Sequence, residues 1–184
     1  MRLARGSPLL RFGSVALLVA FDQWSKARVF EWLKATPEGY SRPQPLLGEW
    51  LSFHSSCNPG AAFGQFDQFP YVLVIGRALA VMFLAWLLLR SDSRPRLPLF
   101  AMTLVLAGAL GNLIDNLWTG CLSSGHPFQG VRDFIDVYFQ PLFGIDWHFP
   151  AFNVADSCIT VGALSWILAS FLHRPAAEPK SAST

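Results

Sequence analysis

Two aspartates in the last third of the chain, Asp133 and Asp156, have the residue type and the setting for proton-transfer chemistry. Asp156 lies one turn into an apolar stretch that predicts a helix over 152–172, and Asp133 precedes that stretch. Carboxylates bordering lipid are costly to place, so they are functional candidates. Two carboxyl groups that approach closely share one proton, because both cannot ionise together. The ionised group can then take a proton from water while the protonated one polarises a carbonyl, which is aspartic hydrolysis.

These acids also have structural interpretations. With Asn153 as N-cap of the predicted helix, Asp156 is the N3 residue, where an acid forms a capping box and interacts favourably with the helix dipole. Asp133 could be a solvated loop acid, and Asp136 and Asp146 are interpreted in that way. The catalytic interpretation of Asp133 and Asp156 is favoured because the two flank a single junction.

The sequence shows no pattern typical of a metal site or of a catalytic triad. The histidines and cysteines have no ligand-like spacing, and no Ser, His or Cys triad is evident. They are His54, His126, His148, His173, Cys57, Cys121 and Cys158. We therefore predict neither a metal site nor a cofactor. Cys57 and Cys121 could meet in an oxidising compartment, but their positions alone do not pair them.

The composition is that of a membrane protein. The 184 residues are 52% hydrophobic and 14% charged, against about 25% charged in soluble proteins. The apolar residues form long runs that predict spans over about 9–30, 71–89, 97–118 and 152–172. A cleaved signal peptide is the alternative for the first run, but no cleavage site follows it, which favours a retained span. No basic stripe or motif indicates nucleic-acid binding.

The distribution of lysine and arginine predicts the orientation. Three lie at the N-terminus, three at 90–96 and two in the C-terminal tail, against two in the 31–70 loop and one in the 119–151 loop. By the positive-inside rule both termini are cytoplasmic and the long loops face outward. We predict one membrane domain, 1–174, with a disordered cytoplasmic tail, 175–184, and the acids near the outer face. The aromatic residues of the 119–151 loop could cover a lipid substrate or act only as interfacial anchors.

Polar residues within the predicted spans form two further pairs. Asp22 and Lys26 are four residues apart and share a helix face, while Asn112 and Asp115 lie on nearly the same face of the third span. Either pair can be a self-neutralising feature or part of a site. Residues 58–64 have the composition of a tight turn.

Taken together, five motifs resemble those of the lipoprotein signal peptidases, the type II signal peptidases of bacteria. Each is weak alone, but the five occur in order over nearly the whole chain. They are Asp22 with Lys26, similar to DxxxK; 58–64, similar to NxGAAFG; 108–112 with Asp115, similar to GNxxDR; Asp133-Phe134, similar to VDF; and 152–156, similar to FNxAD.

The resemblance implies an intramembrane aspartic endopeptidase. The enzyme would remove the signal peptide from diacylglyceryl-modified prolipoproteins, cutting before the lipidated cysteine. Asp133 and Asp156 would be its catalytic pair. Substrate-binding or supporting roles fall to Asp22, Lys26, Asn58, Gly60, Asn112, Asp115 and Asn153.

The implied fold is an all-α membrane protein of four transmembrane helices. It carries a small extracytoplasmic β-cradle and a short interfacial helix, both drawn from residues 31–70. The implied location is the bacterial cytoplasmic (inner) membrane. Lipidated prolipoprotein signal peptides, membrane lipids and globomycin-type inhibitors are the expected partners, and we expect a monomer.

Two residues depart from the family pattern. Asn116 occupies the position of the arginine in GNxxDR, and Arg132 precedes Asp133, where an apolar residue is usual. One hypothesis is that Arg132 supplies the missing positive charge to a substrate carbonyl, and the alternative is a solvated Arg132. Two other functions stay open: a small transporter or channel subunit with proton-relaying acids, and a catalytically inactive lipopeptide-binding protein.

Overall fold

A computed structural model of the chain describes residues 8–60, 68–91, 96–121 and 127–172. Within these ranges lie four long helices, a one-turn helix and a four-stranded sheet. In chain order they are α1 (Pro8–Ala35), β1 (Gln44–Leu47), β2 (Leu51–Asn58), α2 (Pro70–Leu89), α3 (Arg96–Ile114), β3 (Val131–Tyr138), α4 (Gln140–Phe143), β4 (His148–Phe152) and α5 (Val154–Leu172). A π-helical turn, Asp115–Thr119, extends α3.

Three of the described helices are long and apolar enough to cross a membrane: α2, α3 with its π-helical extension, and α5. They contain 20, 24 and 19 residues, enough at about 1.5 Å per residue for a hydrocarbon core of roughly 30 Å. Large apolar side chains such as Phe83, Leu164 and Phe171 are exposed on α2 and α5, where lipid is their favourable surrounding. The chain is a helical membrane-type protein with a small antiparallel sheet.

α3 is the central helix and packs against α1, α2 and α5. Its contact with α5 depends on glycine, because a Cβ at Gly108 would lie 2.3 Å from the carbonyl oxygen of Ala155. On α5, a Cβ at Gly162 would lie 2.9 Å from the carbonyl oxygen of Ala101. Helices in lipid gain stability from close van der Waals packing, which small residues permit.

The sheet is an antiparallel meander in the order β1-β2-β3-β4. β3 pairs with β2, which places Asp133 opposite Ser56, and with β4, which places Ile135 opposite Phe152. Edge-to-face contacts of the aromatic rings of Trp32, Phe53 and Phe134 join the sheet to the end of α1, with centroids 6.1 and 5.5 Å apart. A single residue, Asn153, separates the end of β4 from the start of α5, so the sheet fixes the start of that helix.

The source of the sheet and of the short helix differs from the expectation that both arise from residues 31–70. The sheet takes two strands from each of the two long loops, 31–70 and 119–151, because β2 completes its hydrogen bonds with β3 of the 119–151 loop. The described short helix is α4, also in that second loop. Pro141 lies in its first turn, and Gly144 ends it in a left-handed conformation with φ of 71°, the usual start and stop signals of a helix.

We expect Gly108→Ala to destabilise the protein by about 1–3 kcal/mol, because the added methyl group overlaps the Ala155 carbonyl and displaces α5 from α3. Thermal unfolding of the purified protein in detergent measures the effect. Gly76→Ala on α2 is the matched control, since a Cβ there meets nothing within 4 Å and alanine favours helix. Equal midpoints for Gly108→Ala and the wild type would contradict the close α3–α5 contact.

Candidate active site

Asp133 and Asp156 line one cavity of about 970 Å³. Its walls come from α2, α3 and α5, from the end of β2 and the start of β3, and from β4. Most of the lining is apolar, including Ala80, Phe152 and Ile159. The structure therefore brings the two candidate acids to the same largely apolar space.

Asn153 links the two aspartates. Its side-chain amide donates a hydrogen bond to Oδ1 of Asp133 at 2.7 Å. Its Oδ1 accepts from the backbone N–H of Asp156 at 2.9 Å, and its own N–H donates to Oδ2 of Asp156 at 3.1 Å. The last two contacts form a capping box. The capping interpretation of Asp156 and its place in the cavity are therefore compatible, since the cap orients the carboxylate.

Two further asparagines each donate to one aspartate. Nδ2 of Asn58, at the end of β2, lies 3.2 Å from Oδ2 of Asp133. Nδ2 of Asn112, on α3, lies 2.8 Å from Oδ1 of Asp156. Both oxygens of each carboxyl group thus accept hydrogen bonds from the protein. This fixes the rotation of the two groups before any substrate binds.

Burial raises the pKa of Asp133 to about 7, and the charge of Asp156 acts in the same direction. The hydrogen bonds from Asn58 and Asn153 oppose the increase, because they stabilise the ionised carboxylate. A carboxyl group with such a pKa keeps its proton at pH values where an exposed aspartate has lost it. The arrangement suits a pair that holds one proton near neutral pH.

A buried cluster of charges lies beside this pair. The Lys26 ammonium has a side-chain exposure of 0% and contacts Asp22 at 2.8 Å, Asp115 at 3.3 Å and Oδ1 of Asn112 at 3.0 Å. The other oxygen of Asp22 accepts the N–H of Ala155, in the first turn of α5, at 2.9 Å. The cluster therefore ties α1 to α3 and α5 at the level of the two aspartates.

Arg132 is neither solvated nor directed into the cavity, as the two hypotheses from the sequence would require. Neighbouring residues of a strand face opposite sides, so its side chain points away from the cavity that Asp133 lines. Its guanidinium donates to Asp115 at 2.8 Å and to Gln23 at 3.0 Å, and its backbone N–H donates to Asp115 at 2.9 Å. With a side-chain exposure of 11%, it is an internal ion-pair partner and not a solvated residue.

Arg77 is a cavity residue that the motifs did not identify. Its place in the second turn of α2 suggests from sequence a side chain reaching to the membrane interface. Instead the guanidinium donates to the side-chain oxygen of Asn116 and, at 3.1 Å, to the carbonyl of Gly60, and it lines the cavity. The signal was present, since a single charge in an otherwise apolar span is a functional candidate.

The end of β2 is held in two ways. Gly60 donates its N–H to Oδ1 of Asn58 at 2.9 Å, and a disulfide joins Cys57 to Cys121 after the π-helical turn. The structure thus contains the Cys57–Cys121 disulfide, which the sequence alone did not predict. The rest of the 58–64 motif, from Ala61 onward, lies outside the described residues.

Asp136 and Asp146 of the 119–151 loop do not line this cavity. Asp136 accepts hydrogen bonds from Ser52 at 3.0 Å and contacts His148 at 2.9 Å. Asp146 accepts one from Tyr138 at 2.9 Å. Among the described residues, no group of three His, Cys, Asp or Glu side chains is placed to hold a metal ion.

Comparisons with known proteins identify related chains. Residues 14–172 match the family model for signal peptidase (SPase) II. The lipoprotein signal peptidase of Acinetobacter baumannii (strain SDF) is 35% identical over 171 residues, which are 89% of this chain and 84% of that protein. The lipoprotein signal peptidase of Polynucleobacter necessarius subsp. necessarius (strain STIR1) is 36% identical over 163 residues, 84% of this chain and 85% of its own. A bacterial membrane enzyme solved by the in meso method at 2.3 Å resolution superposes with a TM-score of 0.70 at 27% identity, covering 95% of this chain and 94% of its own.

Lys26→Met should destabilise the protein by about 3–5 kcal/mol, because it leaves Asp22 buried without its cation and weakens the pairing of Asp115. Arg28→Met is the matched control. Arg28 lies on the same helix and pairs with Glu31, but its side chain is 65% exposed, so we expect a small effect. Unfolding of both variants in detergent checks the difference, and similar losses in the two would contradict the role of the buried cluster.

Proposed function

The chain belongs to the signal peptidase II family, and on this premise we propose that it is an intramembrane aspartic endopeptidase of the bacterial inner membrane. It removes the signal peptide from diacylglyceryl-modified prolipoproteins, cutting just before the lipidated cysteine. The family and the names of the relatives support cleavage of prolipoprotein signal peptides by a peptidase. The observation that carries the aspartic mechanism is the pair of carboxyl groups, Asp133 and Asp156, linked by Asn153 in one apolar cavity.

In the proposed mechanism Asp133 carries the shared proton and Asp156 is ionised. The pKa of about 7 for Asp133 supports the first assignment. The place of Asp156 in the first turn of α5 supports the second, because a helix N-terminus favours negative charge. Asp156 takes a proton from water as the water attacks the scissile carbonyl, and Asp133 donates a hydrogen bond to the carbonyl oxygen.

The position of the cavity suits a substrate that arrives through the membrane. α2 and α5 both pack on α3, and the cavity lies between them, with Ala80 of α2 on one side and Ile159 of α5 on the other. An apolar signal-peptide helix and its acyl chains can enter this space from lipid without crossing water. Globomycin-type lipopeptides would bind in the same place.

We also propose that α1 is a fourth span. Its ionic residues Asp22 and Lys26 are buried and neutralise each other, while Leu17, Phe21 and Trp24 are exposed and would face lipid. A charged helix of 28 residues can cross the bilayer when its charges face the protein interior in this way. The protein is then a multi-pass membrane protein with a single domain, and a monomer is the proposed state.

Both termini are assigned to the cytoplasm and the sheet to the outer face. The lysine and arginine distribution supports this orientation. The Cys57–Cys121 disulfide beside the site also supports it, because disulfides persist on the oxidising side of the membrane. The sheet then takes the role of the β-cradle.

The main prediction is that Asp133→Asn and Asp156→Asn each reduce cleavage of a lipidated prolipoprotein by at least about 10³-fold, since each removes a proton-transfer group. Purified protein in detergent is incubated with substrate, with and without globomycin, and the product is followed by mass. Asp136→Asn is the matched control, because Asp136 lies on β3 but contacts Ser52 and His148 outside the cavity.

The same experiment separates the alternatives. Cleavage that survives either substitution would refute the dyad. An intact protein that binds globomycin but cleaves nothing would be the inactive lipopeptide-binding protein. A proton-relaying transporter has acids at several depths of its bundle, whereas Asp22, Asp115, Asp133 and Asp156 form one connected layer.

The pH profile supplies a second prediction. Activity should fall on the alkaline side as the shared proton is lost, near the pKa of about 7 for Asp133. Asn58→Ala removes a donor that stabilises the ionised Asp133, so the pKa rises and the alkaline limb should move to higher pH. Ser52→Ala, which removes a donor to Asp136, is the control and should leave the limb in place. A limb at the wild-type pH in Asn58→Ala would contradict the assignment of the proton to Asp133.

A further inference from the structure

Arg77 is the one charged residue of α2 that reaches the cavity. It lies in the second turn of the helix, and its guanidinium donates to Asn116 at the end of α3 and to the carbonyl of Gly60 after β2. Its charge interacts with those of Asp156 and Asp133. Among the described residues that line the cavity, it is the only cation. A charge at the wall of the cavity that the two aspartates line, on an otherwise apolar span, requires an explanation beyond anchoring at the interface.

A backbone carbonyl group of a peptide substrate is a suitable partner for that charge. A peptide bond inside a helix is shielded and its carbonyl is internally bonded, so a membrane-embedded substrate must be extended where it is cut. Its carbonyl groups then need donors, because an unsatisfied carbonyl in apolar surroundings is costly. The amide groups of Asn58 and Asn112 already donate to Asp133 and Asp156. A guanidinium has more N–H donors than the two contacts of Arg77 use.

We propose that Arg77 is a substrate-binding residue, whose guanidinium donates hydrogen bonds to a backbone carbonyl of the extended peptide beside the scissile bond. This inference rests on the proposed function and names the part of the substrate that Arg77 recognises. The ligand is the main chain of the peptide, so the contact is independent of substrate side chains. Gly60 and Asn116 hold the guanidinium at the cavity wall.

Asn116 gives this assignment a second support. It accepts from Arg77 and uses its own amide to donate to the carbonyl of Gln129 at 2.7 Å, so it fixes the arginine without competing with it. In the GNxxDR motif that the chain resembles, position 116 would be an arginine. A second guanidinium there would lie beside Arg77 and repel it. Compared with the GNxxDR motif, the positions of the charged and the neutral residue are exchanged in this chain. The cation of the cavity, Arg77, lies on α2, and its neutral partner, Asn116, lies at the end of α3.

Two experiments test the proposal, one on turnover and one on binding. Arg77→Gln is compared with the wild type and with Arg90→Gln, a control at the other end of α2 whose guanidinium lies over the ring of Trp86. Kinetics with a lipidated prolipoprotein give kcat and KM. Binding of the same substrate to Asp133→Asn, with and without Arg77→Gln, gives Kd without cleavage. Thermal unfolding is recorded for every variant to detect structural damage.

We expect Arg77→Gln to raise KM and Kd by about ten- to hundredfold, as for loss of a charge-assisted hydrogen bond, with kcat and the unfolding midpoint nearly unchanged. Arg77→Lys should recover part of the loss, and Arg77→Ala combined with Asn116→Arg should recover most of it. Unchanged Kd in Arg77→Gln, or a loss confined to kcat and the pH profile, would overturn the proposal, as would absence of recovery in the double variant. If the wild type binds the substrate but does not cleave it, the proposed function fails while the Kd comparison still decides the role of Arg77.

Discussion

The structure depends on a lysine ammonium that has no contact with solvent. Lys26 donates to Asp22 on its own helix and to Asn112 and Asp115 at the end of α3. An isolated charge at such depth is strongly unfavourable, so the position is stable only while all three acceptors are in place. Asp22 in turn accepts the Ala155 N–H in the first turn of α5. One buried cation therefore sets the relative position of three helices. Asp156 lies on one of them, α5, and Asp133 lies on the neighbouring strand β3.

The contacts that fold the protein also orient Asp133 and Asp156, the two aspartates that are proposed to react. Asn153 caps α5 through Asp156 and at the same time donates to Asp133. Asn112 accepts from Lys26 and donates to Asp156, so the charge cluster and the dyad are joined through one amide. The orientation of the two carboxyl groups is thus fixed by backbone and helix packing, which is the preorganisation that acid–base chemistry requires.

The sequence predicted what depends on local pattern. Apolar runs predicted the long helices, the order of the motifs predicted the family, which the comparisons confirm, and the N3 position of Asp156 predicted its capping contacts. Non-local pairing was beyond such patterns. Nothing near residue 52 indicates that β2 pairs with β3 about eighty residues later. Without knowing that residues 131–138 form a strand, one could not derive that the side chains of Arg132 and Asp133 point to opposite faces. Arg77 was recognisable as the single charge of an apolar span. Its position at the cavity wall, however, depends on contacts with Asn116 and Gly60, and no local pattern predicts these contacts.

The charges around the cavity give an independent reason for a shared proton. Among the described residues, four carboxyl groups belong to the connected layer: Asp22, Asp115, Asp133 and Asp156. The cations that contact or face them are Lys26, Arg132 and Arg77. Lys26 and Arg132 contact Asp22 and Asp115, and Arg77 is the cation at the cavity wall, where its charge interacts with those of Asp156, Asp133 and Asp115. A single cation balances one negative charge, so the dyad is neutralised when it holds one proton. The raised pKa of Asp133 and the position of Arg77 both favour this state.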